Sequence, residues 1–188
     1  MCSGSGKNPQ GSLVFVALGS NLGDSAAILR QAIDRLQTLS DAPLLKSSFW
    51  ETAPVDCPPG SPHFLNAVVG FPPRAGQTPE TLLATLQQWE REFGRRPKQV
   101  LNEPRPLDLD LICFGKETRS SAHLTLPHPR AGQRPFVLAP LAEIAPELVL
   151  PGQTQSVLRL LDDLSPAAVG PTRKTPTRSA QSDAWGAS

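Results

Sequence analysis

At 188 residues the chain is long enough for one domain with its own hydrophobic core. Its formal net charge is +1 and 19% of its residues are charged, so no chain-wide basic field points to nucleic acid, and no apolar run nears the roughly 20 residues that cross a bilayer. The three cysteines, Cys2, Cys57 and Cys113, make neither a disulfide framework nor a zinc spacing, and residues 1–12 lack the apolar core of a signal peptide. The expectation is a cytoplasmic protein, with residues 13–164 folded between disordered segments at 1–12 and 165–188.

Residues 13–18 (Leu-Val-Phe-Val-Ala-Leu) read as a buried strand, and Gly19-Ser-Asn-Leu-Gly23 as the tight turn after it. Asp24 or Ser25 caps a helix whose apolar face is Ile28, Leu29, Ala32, Ile33, Leu36 and Leu39. Strands over 44–52 and 66–71 follow, joined by the proline-rich loop 53–62, stiff enough to wall a flat pocket. Phe64 and Asn66, two apart, face the same way on a strand. They suit either a planar heterocycle, stacked by the ring and bonded at its edge by the amide, or an ordinary core with a capping amide.

A helix is expected over 79–93, capped by Thr78, opened by Pro79 and ended at Gly94. Leu82, Leu83, Leu86, Trp89 and Phe93 form its stripe, with Gln87 and Glu90 on another side. Residues 95–104, with Arg95, Arg96 and Lys98, are either a solvated loop or one that closes over a polyphosphate. They lead to Arg105-Pro-Leu-Asp108-Leu-Asp110-Leu-Ile-Cys-Phe114, a strand whose two carboxylates share one face about 7 Å apart. That spacing fits the polar side of an edge strand, or a pair of hard metal ions clamping a phosphate, with Arg105 as a donor fork for the same anion. Cys113 reads as a small core residue.

A strand over 122–126 runs into Pro127-His128-Pro129-Arg130, where two prolines hold His128 in a fixed place. Residues 136–141 form an apolar helix or turn ended by Ala145-Pro146, and 154–164 a last helix. Arg173, Lys174 and Arg178 read as scattered solvated charges in the tail. The order strand–helix–strand–strand–helix–strand holds no repeated parallel unit, which argues against a nucleotide-binding fold of the doubly wound kind.

The run Pro104-Arg105-x-x-Asp108-x-Asp110 resembles the signature of the 6-hydroxymethyl-7,8-dihydropterin pyrophosphokinase family. Three further blocks stand in the matching order: 17–23, then 47–54 with Phe64-Leu-Asn66, then Leu126-Pro-His-Pro-Arg130 with Arg134-Pro-Phe136 and the residues to Pro146. The resemblance implies an α+β, ferredoxin-like antiparallel sheet with helices packed on it as a three-layer sandwich. It implies transfer of a diphosphate from ATP to the pterin hydroxymethyl group, releasing AMP, with two Mg²⁺ ions. Asp108 and Asp110 would hold the metals, and Arg95 and Arg105 would act on the transferring group. Gln87, Glu90, Arg105, Leu111, Thr125, His128 and Arg134 would contact ATP. Phe64 and Phe136 would stack on the pterin, Asn66 and Thr52 would bond its edge, and Ala53 and Val55 would offer backbone groups.

The chain departs from the family pattern at Leu101-Asn102, where some relatives carry Arg-Trp, at His123, which aligns with an arginine, and at Pro129, which replaces an aromatic residue. A ferredoxin-like module that binds without turnover is therefore the competing expectation.

Overall fold

β1 (Val14–Ser20) is buried along its whole length because it lies between two other strands and under helices on both faces. The computed structural model describes residues 13–54, 59–95, 103–164 and 173–175. After β1 come α1 (Ser25–Gln37), β2 (Leu45–Lys46), β3 (Phe49–Thr52), β4 (Phe64–Phe71), α2 (Pro79–Glu92) and β5 (Asp108–Phe114). A small hairpin of β6 (Arg119–Ser120) and β7 (Thr125–Leu126) follows, then a 3₁₀ turn (Ala131–Gln133), α3 (Pro135–Ile144), α4 (Val157–Asp162) and β8 (Arg173–Thr175). The main sheet runs β5-β1-β4-β3-β8, with β2 also on β4, and every pairing in it is antiparallel. This is the α+β, ferredoxin-like antiparallel sheet that the family resemblance implies.

Alternation along β1 divides the core. Val14, Val16 and Leu18 face α1 and α2, among Leu29, Leu36, Leu82 and Leu86. Phe15 and Ala17 face α3 and α4, among Val137, Leu138, Leu141 and Val157. Each fully buried leucine or phenylalanine here is worth about 1.5–3 kcal/mol, so both helical layers are held by the sheet between them. Close packing reaches its limit at Gly70, where a Cβ would come within 2.6 Å of Phe15 Cε1.

The expected elements shift at their ends. The single strand over 44–52 is two short ones, because the pairing with β4 advances by one residue between Lys46↔Val69 and Trp50↔Asn66. Ser47 sits in that bulge and its hydroxyl, not a ladder carbonyl, accepts the Val68 N–H at 2.9 Å. β4 begins at Phe64 instead of 66, α3 spans Pro135–Ile144 instead of 136–141, and the helix expected over 154–164 is only Val157–Asp162, capped by Ser156. The strand expected over 122–126 is reduced to Thr125–Leu126, because Ser121 closes a turn onto Leu124 and turns the chain into a hairpin. Asp24, of the two candidates, caps α1 by accepting from Ala27 N, and α2 carries the Thr78–Thr81 capping box.

One correction is larger. Arg173–Thr175, expected within a disordered tail, is a strand paired with β3. Short segments without apolar periodicity give no sequence signal, and this one is held by a sheet edge that needs a partner. The expectations for residues 1–12, 165–172 and 176–188, and for Val55, Arg96, Lys98, Leu101 and Asn102, lie outside the described residues. Among the described residues, no helix is long and apolar enough to cross a membrane.

Candidate active site

Register brings the chemistry to one face. Paired residues on neighbouring strands share a face, so Asp108, Gly19, Asn66 and Trp50 form one row across the sheet, and Asp110, Ala17 and Val68 the next. Phe64 and Thr52, themselves paired, lie two residues from Asn66 and Trp50 and project the same way. β5 keeps its carboxylates on this face and Leu109 and Leu111 on the other; a one-residue register shift past Leu111 then places both Ile112 and Cys113 in the α3-side core. Gly19 makes the floor of the row. A Cβ there would lie 3.3 Å from Asn66 Oδ1 and 3.9 Å from both the Asp108 Cβ and the Phe64 ring.

Three arginines converge on the two carboxylates. Arg95 donates to Asp108 Oδ1 at 2.7 Å, Arg105 pairs with Asp108 Oδ2 at 3.1 Å, and Arg134 with Asp110 Oδ2 at 3.3 Å. Arg134 is there because it is the N-terminal cap residue of α3, which packs on this face and carries Phe136 as its second residue. Arg105 lies 5.5 Å over the Phe64 ring and Arg134 5.5 Å over the Phe136 ring, so each aromatic expected at the pterin stands beside an arginine expected at phosphate. Arg105 Nε is buried without a hydrogen-bond partner, a donor that an incoming anion would satisfy.

Charge is held at a cost. Burial, then the neighbouring Asp108, raises the Asp110 carboxyl above its ordinary range, and burial lowers Arg134 despite Asp110. Glu90, on α2 but turned to the sheet, is buried and accepts the Leu109 N–H at 2.8 Å while pairing with Arg95. Burial pushes it up to about 7, against the pull of the Leu109 N–H and Arg95.

Beside Asp110 a groove of about 270 Å³ is lined by Leu83, Leu111, His123, Thr125, His128 and Pro129 among others. His128 is fixed by its backbone, which donates to Ile112 O at 2.8 Å, and its Nδ1 accepts from Arg130 N at 3.2 Å, leaving Nε2 as the donor. Burial lowers its pKa, with Asp110 pulling the other way, so it is a neutral hydrogen-bond donor at pH 7.

The structure thus gathers Arg95, Arg105, Asp108, Asp110 and Arg134 at one end of the face and Thr52, Phe64 and Asn66 at the other. Leu111, Thr125 and His128 line the groove. Phe136 meets Arg134, Ala53 and Gln87 are exposed, and Glu90 reaches Arg95 and β5. Asn66 Nδ2 donates to Thr52 Oγ1 at 2.8 Å, which orients both side chains.

Sequence reasoning missed Asn21. Its Oδ1 accepts from Arg105 N at 2.9 Å, its N–H donates to Arg105 O at 3.2 Å, and its Nδ2 reaches Pro62 O at 3.4 Å. It ties the first turn to the arginine and to the loop ahead of Phe64. An asparagine between two turn glycines carries no sign of such distant partners.

Residues 15–146 match the model of the family described as 7,8-dihydro-6-hydroxymethylpterin-pyrophosphokinase, or HPPK. The chain belongs to this family. Relatives include the 2-amino-4-hydroxy-6-hydroxymethyldihydropteridine pyrophosphokinases of Synechocystis, 38% identical over 83% of this chain and 78% of the relative, and of Porphyromonas gingivalis, 41% identical over 72% and 92%. The Bacillus subtilis protein of that name is 40% identical over 72% of this chain and 80% of its own. Among solved structures, Plasmodium falciparum HPPK-DHPS superposes with a TM-score of 0.63 at 12% identity, covering 80% of this chain and 44% of that longer one. That likeness supports the fold. As a member of the HPPK family the protein is a diphosphokinase of folate biosynthesis.

Proposed function

We propose that the chain transfers the β,γ-diphosphate of ATP to the hydroxymethyl oxygen of 6-hydroxymethyl-7,8-dihydropterin. The oxygen attacks the β-phosphorus, the bond to the α-phosphate oxygen breaks, AMP leaves, and the hydroxyl proton is lost. The observation that carries this reading is the single sheet face on which two carboxylates ringed by three arginines adjoin an aromatic and amide pocket.

The pterin lies between Phe64 and Phe136, with Asn66 and Thr52 at its edge and the backbone of Ala53 beyond. ATP occupies the groove, with its phosphates toward Asp110, its base near Leu111 and Thr125, and His128 Nε2 donating to a phosphate oxygen. Gln87 and Glu90 lie on the nucleotide side through α2. Asp108 and Asp110 would hold two Mg²⁺ ions, whose chemistry would be to neutralise charge on the transferring phosphates. The donor set fits that ion. Among the described residues no group of three or more His, Cys, Asp and Glu forms a cage, and Mg²⁺ takes one or two carboxylates and completes its shell with phosphate and water. Arg95, Arg105 and Arg134 then turn from the aspartates to the phosphate oxygens.

In the same reading residues 13–164 are the catalytic domain of a cytoplasmic monomer that acts on these two small substrates, consistent with its near-neutral charge. AMP release from ATP and Mg²⁺ with and without the pterin tests the proposal. Pterin-dependent AMP without ADP is expected. Pterin binding with no AMP would replace it with a binding module that lacks turnover.

A further inference from the structure

The C-terminal end of α3 carries a carboxylate that the chemistry above does not use. Glu143 accepts from Ser48 N at 3.2 Å, Ser48 Oγ at 2.8 Å and Trp50 Nε1 at 3.0 Å, all from the β3 edge. Lys174 of β8 closes the set at 3.2 Å and lies 5.5 Å over the Trp50 ring. Ser48 N is available because the bulge after Lys46 takes it out of the ladder with β4. Burial alone would raise the Glu143 carboxyl, but these donors outweigh it and hold it below the ordinary range, so it is ionised at pH 7.

Glu143 and Phe136 stand on the same helix seven residues apart, which is about two turns, so they share a side of α3 about 10 Å apart. One end of the helix carries the Phe136 ring, partly buried against the α3-side core and beside Arg134, and the other is tied to the sheet. On β3, Trp50 pairs with Asn66, and Thr52 accepts from the Asn66 side chain. The tie therefore joins the helix carrying one aromatic wall to the strand that bears the opposite edge.

We propose that Glu143 is a positioning residue for the pterin slot. It latches α3 to β3, with Lys174 of the C-terminal strand as counter-ion, and so sets the separation between Phe136 and the sheet residues Phe64 and Asn66. This rests on the pterin reading of that slot. The tail strand lies beyond the residues matched to the family, so the counter-ion is a feature of the chain outside the matched block.

The test is steady-state kinetics on the full chain with Glu143→Ala, Lys174→Ala and Lys174→Arg, varying ATP and 6-hydroxymethyl-7,8-dihydropterin separately. Glu143→Ala is expected to raise the pterin KM about tenfold, equivalent to about 1.4 kcal/mol, with kcat and the ATP KM changed less than about twofold. Lys174→Ala should raise it about threefold and Lys174→Arg should restore it. The Trp50 emission should shift in both alanine variants and not in a Trp50→Phe background. An unchanged pterin KM in Glu143→Ala overturns the latch, as does a parallel rise of both KM values with a lowered Tm, which marks general loosening. Wild-type protein that releases no pterin-dependent AMP overturns the parent reading and the latch with it, so the two failures are told apart before any variant is made.

Discussion

At one end of the site Asn66 donates to Thr52 and an aromatic ring stands on a strand; at the other, two aspartates are held by three arginines. The neutral end is finished. Its amide and hydroxyl are buried and aligned by each other, and a flat ligand need only enter, losing little order in the protein. The charged end is occupied by its own counter-ions. Each guanidinium that would grip a phosphate is already paired with a carboxylate that would hold a cation, so binding there is largely an exchange of partners, with the buried Arg105 Nε as the one donor still open. The two ends should respond differently to substitution.

The largest expected effect is at Asp110. Replacing it with alanine should lower kcat at least about a thousandfold, the scale of losing an electrostatic clamp on transferring charge. Stability should hold or rise at neutral pH, because burial beside Asp108 disfavours its ionised form in the fold. Turnover assays beside thermal melts check both halves. Activity retained with stability lost would make Asp110 a structural ion-pair partner only. The next effect lies at the neutral end. Asn66→Ala should raise the pterin KM about ten- to a hundredfold by removing a buried edge contact and leaving Thr52 without its donor, and should leave the ATP KM in place. A rise in both constants would erase the distinction between the ends.

The charged end was legible in the sequence because its residues are close together: Arg105 lies three residues ahead of Asp108, and within β5 period two alone puts Asp108 and Asp110 on one face. The neutral end was legible as the pair Phe64 and Asn66, but the Asn66–Thr52 bond required the hairpin register, which one bulge alters. The third arginine shows the difficulty. Arg134 meets Asp110 only because the chain passes through a hairpin and a 3₁₀ turn before α3 begins. Asn21 and Glu143 were unread for the same reason, since their partners lie far away in sequence and neither interrupts a local pattern, and Lys174, read as a scattered solvated charge, pairs with Glu143. The tail strand was misread because three residues carry no periodicity, and only an open sheet edge gives them a place.

Glu90 offers the finest cut through the comparison, since it supports Arg95 from behind the charged end and touches nothing at the other. Its carboxyl is raised by burial to about 7 in the native state. Between the ordinary glutamate range and that value the native state binds more protons than the unfolded one, so stability falls as pH rises through the window. Glu90→Gln keeps an oxygen for the Leu109 N–H and removes the titration. It should therefore flatten the dependence of denaturant-derived stability on pH between about 5 and 7, with a modest loss of kcat from a looser Arg95 and no change in pterin KM. A slope that persists in Glu90→Gln but vanishes in Asp110→Asn would move the titration to Asp110, whose shift has the same sign. A variant less stable than the parent at pH 8 would show that the ion pair with Arg95 outweighs burial. In that case the charged end, for all its exchangeable contacts, would be held at its back by a tether that binding does not release.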